Sequence, residues 1–146
     1  MAGAPRRRRT QNGAMGLVKN IMIKVHKRSG DRFAGMDLLY LTTVGAKSGK
    51  ERVSPVARFA DGDDAWLVVA SNGGADRHPS WYHNLRAHPD QVWVEVGGRR
   101  IHARVEQLEG ERRRAALERI VAGQPRFGGY QRKTDRALPV LRLSGE

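Results

Sequence analysis

The densest chemistry in this 146-residue chain lies in one turn, Gly45-Ala46-Lys47-Ser48-Gly49-Lys50, followed at once by Arg52. Three cations, a hydroxyl and the exposed amides of a glycine-rich turn suit a phosphate or carboxylate ligand, bound through charge-assisted and backbone hydrogen bonds. Taken alone, the same residues also read as a solvated hairpin. The segment is not the phosphate loop of an NTPase. That motif needs Gly six positions before Lys50 and Ser or Thr after it, and the chain has Val44 and Glu51 there. No G-x-G occurs, so the dinucleotide fingerprint is absent as well. His78, His83 and His88 invite a metal reading, but a five-residue spacing on a helix sets neighbours about 140° apart, so the three do not converge. Ser71 and Ser80 have no His and acid at a useful spacing, which leaves them as loop or cap residues. The chain has no cysteine, which excludes disulfides and thiolate chemistry. Trp81-Tyr82, and Phe127 with Tyr130 at i, i+3, read either as core packing or as pocket walls.

The elements that must position these groups follow from patterning. Leu38–Thr43 and Trp66–Ala70 are nearly continuous apolar runs, as in strands buried on both faces of a barrel. Arg52–Phe59 reads as the strand between them. Short turn-rich connections favour antiparallel neighbours. Asn72-Gly73-Gly74-Ala75 is a loop, and Pro79 is placed to open a crossover helix that runs to about His88, before Pro89. Val92, Val94 and Val96, then Ile101, Ala103 and Val105, alternate with other residues on either side of Gly97-Gly98, which predicts a tight hairpin. A second helix is expected over 110–122 with Gly123 as its stop, a short helix or loop over Phe127–Lys133, and a last strand over Pro139–Leu143. Strands interrupted by helices make this an α+β barrel.

Charge divides the chain. Residues 1–32 hold nine Lys or Arg against one acid, Asp31, so two thirds of the formal +12 is N-terminal. The Arg-rich residues 1–14 have too little apolar surface to fold and are expected to be disordered. Residues 15–30 are expected to form an amphipathic helix, with Leu17, Val18, Ile21, Met22 and Val25 on one face and lysines on the other. Residues 31–146 then form one domain with an ordinary charge. No stretch approaches the roughly 20 apolar residues of a membrane span, and a cytoplasmic address is expected.

Several segments occur in an order that resembles one family. They are Leu41-Thr42-Thr43-Val44-Gly45-Ala46-Lys47-Ser48-Gly49, Arg52-Val53-Ser54-Pro55, Val68-Val69-Ala70-Ser71-Asn72-Gly73-Gly74 and His78-Pro79-Ser80-Trp81-Tyr82-His83-Asn84-Leu85-Arg86-Ala87-His88-Pro89. With Tyr130-Gln131, Thr134-Asp135-Arg136 and Leu138-Pro139-Val140, they resemble the deazaflavin (coenzyme F-420)-dependent nitroreductase and quinone reductase family over about residues 37–146. The resemblance implies a split β-barrel of the FMN-binding-protein type. It also implies hydride transfer from reduced coenzyme F-420 to a quinone, a nitroaromatic or another electron-poor small molecule. Lys47, Ser48 and Arg52 would contact the phosphate and polyglutamate portion of the coenzyme, while Val53, Ser54, Pro55, Ala70, Ser71, Asn72, Trp81 and Tyr82 border its ring. Ser71 and Tyr130 would lie nearest the reacting atoms, and Gln124, Phe127 and Tyr130 would line the substrate mouth. Family members commonly carry more tyrosines at that mouth, and a lysine where this chain has Asn72.

Residues 6–28 suit an anionic membrane surface, where a lipid-soluble quinone would be met, or equally a packed helix with a solvated basic face. Monomer and homodimer both stay open. One alternative is an FMN-binding or haem-handling protein on the same barrel. Another is a non-enzymatic nucleic-acid binder using Arg6–Arg9, which the ordinary charge of the body argues against, so no nucleic-acid partner is expected.

Overall fold

The computed structural model describes residues 32–146; the basic arm expected over 1–14 and the helix expected over 15–30 lie outside the described residues. In chain order come β1 (Arg32–Phe33), β2 (Met36–Val44), β3 (Glu51–Ala57), β4 (Phe59–Ala60), β5 (Ala65–Val69), α1 (Ser80–Ala87), β6 (Trp93–Val96), β7 (Arg99–Gln107), α2 (Gly110–Gly123), α3 (Arg126–Arg132) and β8 (Val140–Gly145). Every pairing is antiparallel. The strands run in the order β1-β2-β6-β7-β8-β5-β4, with β3 on the opposite edge of β2 from β6.

The sheet curls because β3 and β4 are almost one strand that changes partner. The expected single strand Arg52–Phe59 is broken at Arg58, whose N–H donates to Asp37 O at 2.9 Å. Before the break, β3 pairs with β2, from Val44↔Glu51 to Leu38↔Ala57. After it, β4 pairs with β5, Phe59↔Leu67 and Ala60↔Trp66. Had that second register continued back through Arg58, Val56 would meet Ala70 and Pro55 would meet Ser71. Instead the barrel closes at Arg58 and splits open toward Glu51 and Ser71. Pro55 has no N–H, which suits a strand with β2 as its single neighbour among the described residues.

Two apolar clusters fill the fold. Inside the barrel lie Leu39 and Leu41 of β2, Trp66, Val68 and Ala70 beside β8's Leu141 and Leu143, and Tyr82 and Leu85 of α1. Outside it, Leu67, Val69 and Val140 pack on Ala116 and Ile120 of α2 and on Phe127 of α3. The continuous apolar run of β5 is thus explained: each of its residues is buried, alternately on the two faces. Burying one such Val or Leu contributes about 1.5–3 kcal/mol. The Gly97-Gly98 turn joins β6 to β7 with both φ angles positive, +57° and +78°, as a tight hairpin requires. Pro79 caps α1, while Pro139 stands just before the last strand, which begins at Val140.

Candidate functional site

The turn between β2 and β3 is locked by its own backbone. Gly45 N–H donates to Lys50 O at 2.7 Å, Gly49 N–H to Gly45 O at 2.9 Å, and Lys50 N–H to Ser48 Oγ at 3.2 Å. A Cβ at Gly45 would sit 2.3 Å from Ser48 Oγ and would displace the hydroxyl that accepts from Lys50 N–H. The crossover helix α1 then anchors the turn through Asn84, buried at 8% exposure. Its Oδ1 accepts from Ala46 N–H at 2.9 Å, and its Nδ2 donates to Thr43 Oγ1 at 3.2 Å. Among the described residues, Lys47, Lys50 and Arg52 make no ion pair. Lys47 and Lys50 on the turn and Arg52 at the start of β3 thus concentrate positive charge at one end of the hairpin.

The other lip of the split is the loop after β5. Its residues Asn72, Gly73 and Gly74 all have positive φ, +47°, +66° and +85°. At Gly74 a Cβ would stand 2.7 Å from Tyr130 O, so α3 closes directly against this loop. Asn72 Nδ2 donates to Arg77 O at 3.2 Å, and Thr134 Oγ1 to Asp76 Oδ1 at 2.8 Å. Arg136 donates to the carbonyls of Ala70, Ser71 and Ala75, and Nη1 also donates to His78 Nδ1 at 2.9 Å. His78 therefore accepts at Nδ1 and is neutral; burial, then the charges of Arg136, His83 and Arg86, hold its pKa below the ordinary imidazole value.

Of the expected ring-side residues, Val53, Ser54 and Pro55 lie on β3, and Ala70, Ser71 and Asn72 follow the end of β5. Alternation along β3 divides them, since residues opposite one another in the ladder share a face. Arg52 and Ser54 pair with Thr43 and Leu41 and face the barrel interior, whereas Val53 and Pro55 pair with Thr42 and Tyr40 and face the other way. Trp81 packs half-buried on the inner cluster. Ala70 and Tyr82 are buried walls; the Tyr82 hydroxyl donates to Gln107 Oε1 and accepts from Arg86 Nη1, both at 2.9 Å.

The expected substrate residues gather at the junction of α2 and α3. Phe127 is buried in the outer cluster, edge-on to Phe59 at 5.5 Å and to Tyr130 at 5.3 Å. Tyr130 is half-buried, with the Lys133 ammonium 5.9 Å from its ring centroid. Gln124 donates to Gly35 O at 3.1 Å, tying this junction to the β1–β2 turn. His78 precedes α1 rather than riding on it, so its ring comes within 5.7 Å of His83, a proximity the helical spacing does not give. A groove of about 520 Å³ between α2 and α3 and a recess of about 410 Å³ beside Asp61 and Arg142 lie elsewhere; neither includes a residue of the hairpin turn or the loop.

Sequence reasoning assigned no role to Asn84, Arg136 or Gly74. Asn84 does carry a signal, an amide in a helix whose neighbours Tyr82 and Leu85 are core residues.

The model of the F420H(2)-dependent quinone reductase family matches residues 16–144. The chain belongs to that family. An F420H(2)-dependent quinone reductase of Mycobacterium tuberculosis is 39% identical over 121 residues, spanning 80% of each chain. Among solved structures, an F420-H2 dependent reductase is 39% identical with a TM-score of 0.65, covering 73% of this chain and 93% of that one. A haem storage protein of Vibrio cholerae superimposes with a TM-score of 0.56 at 16% identity, covering 86% of this chain and 88% of that one, a likeness of fold alone. The split β-barrel that the sequence resemblance implied is thus the architecture of the quinone reductase family and of more distant barrels.

Proposed function

We propose that the split between β3 and β5 is where this quinone reductase family member, an F-420-dependent oxidoreductase, holds its coenzyme. The observation that supports this reading is a cationic turn, locked by its own backbone and by Asn84, at one end of β3, together with a loop after β5 that Arg136 braces. Lys47, Ser48 and Arg52 bind the acidic tail. Val53, Ser54, Pro55, Ala70, Ser71 and Asn72 border the ring, with Trp81 and Tyr82 behind. When bound, a 5-deazaflavin supplies two electrons together as a hydride.

What remains for the chain is to align and to exclude water. The buried walls Ala70 and Tyr82 keep the floor of the cleft dry, and Ser71 and Tyr130 stand nearest the reacting atoms. Tyr130, backed by Phe127 and flanked by Gln124, orients a quinone or other electron-poor acceptor. Fluorescence titration with oxidised coenzyme F-420, followed by turnover with menadione and a nitroaromatic, tests this reading. Lys47→Ala and Arg52→Ala are expected to raise the coenzyme dissociation constant several-fold with the fold intact. Unchanged affinity in both variants would count decisively against the site.

No helix among the described residues is long and apolar enough to cross a membrane. Peripheral contact through residues 6–28 is a separate part of the proposal, resting on their basic, amphipathic sequence. Co-sedimentation with anionic liposomes, with and without residues 1–30, decides it; equal pelleting of the two forms disposes of it.

A further inference from the structure

Arg136 lies on the approach to β8 with its guanidinium turned back onto the loop after β5. Nε donates to Ala75 O at 2.7 Å, Nη2 to Ser71 O at 2.7 Å, and Nη1 to Ala70 O at 3.1 Å and His78 Nδ1 at 2.9 Å. Those acceptors bracket the loop, two carbonyls at its start, one at its end and an imidazole just beyond. Between them lie the three consecutive positive-φ residues, a left-handed bow that the glycines adopt freely and Asn72 more readily than most side chains. The loop's own backbone bonds, Gly74 N–H to Ser71 O and Ala75 N–H to Asn72 O, close the bow but do not fix its ends to the barrel. Arg136 does. A planar fork with donors in fixed directions can serve three carbonyls and a ring nitrogen together, which a lysine ammonium cannot. The residue is only half-buried, but desolvation still holds its pKa below the ordinary guanidinium value, and the nearby Asp76 offsets part of that.

We propose that Arg136 is a positioning residue for the ring-binding half of the cleft. It acts through the Ser71–Ala75 loop and has no part in gripping the acidic tail, which belongs to the hairpin turn on the far lip. This rests on the coenzyme reading above and divides the site's binding energy between two devices that can be separated.

The test uses the full chain and two probes, intact oxidised coenzyme F-420 and the 8-hydroxy-5-deazaflavin ring carrying only its ribityl chain. Arg136→Lys is expected to weaken both probes by a similar factor, about ten-fold, since a misplaced wall affects whatever contacts the ring. Lys47→Ala is expected to weaken the intact coenzyme alone. A general loss of structure would not produce that crossed pattern. If folded Arg136→Lys binds the ring fragment as wild type does, the proposal is overturned while the coenzyme site stands. If wild type binds neither probe at micromolar concentration, the coenzyme reading fails and this one with it. Should Arg136→Lys not fold, His78→Leu removes one of the four acceptors: a smaller loss on the ring fragment supports the proposal, and unchanged affinity overturns it.

Discussion

Asn84 shows how much of a site can depend on one uncharged side chain. Replacing it with leucine leaves Ala46 N–H and the Thr43 hydroxyl without their partner, and an unsatisfied buried group is expected to lower stability by about 1–3 kcal/mol, read from the urea midpoint. The same variant frees the cationic turn from α1, so coenzyme affinity should fall even though no charge has been removed. Lys47, Ser48 and Arg52 were legible in the sequence because their charge and turn chemistry are crowded into six positions. Asn84 and Arg136 were not, because their partners lie 38 to 66 residues away in sequence and only the fold brings them near. Trp81 and Tyr82 were legible as a pair but not as to role, and the structure makes Tyr82 a satisfied core tyrosine.

Among the elements, the loop and α3 depend on each other at Gly74. Gly74→Ala would place a methyl 2.7 Å from Tyr130 O at a φ of +85°, and is expected to destabilise the fold by about 1–3 kcal/mol and to push α3 outward. Thermal denaturation measures the first effect, and altered tyrosine fluorescence the second. The loop is also the acid-sensitive element. His78 has a folded-state pKa below its unfolded value, so its contribution is fully present above the ordinary imidazole range and is lost as pH falls through that range toward the lowered folded value. Protonation would set a cation against Arg136, His83 and Arg86 and remove the Nδ1 acceptor. Hydrogen exchange of the Ser71–Ala75 amides should therefore quicken on acidification, and the His78→Leu variant should lack that response. The strands themselves were readable from alternation and apolar runs. The break at Arg58 was not, because a change of pairing partner leaves no mark on hydrophobic periodicity.

At the scale of the whole molecule, sheet and outer helix are tied together at Asp61. Its carboxylate accepts from Arg142 of β8 at 2.7 Å and from Arg119 of α2 at 3.2 Å, and the Arg142 bond above all holds its pKa below the usual carboxylate value. Asp61→Asn is expected to lower stability at neutral pH by about 1 kcal/mol, a figure discounted for partial exposure of the cluster. Because the folded-state pKa is depressed, that difference should persist above the ordinary carboxylate value and be lost as pH falls below it and through the lowered folded-state value, which denaturant midpoints at several pH values would show. The barrel's incomplete closure has a further effect, on solubility. Among the described residues β3 has β2 as its one hydrogen-bonded neighbour, and a margin of that kind offers amides and carbonyls to any extended chain that drifts past, the usual first step of sheet-driven self-association. Pro55 subtracts a donor from that row, and Glu51 and Arg52 add charges that repel or desolvate poorly. Pro55→Val would supply the missing donor and a strand-favouring side chain together, and light scattering of concentrated protein should then rise with time where wild type stays clear.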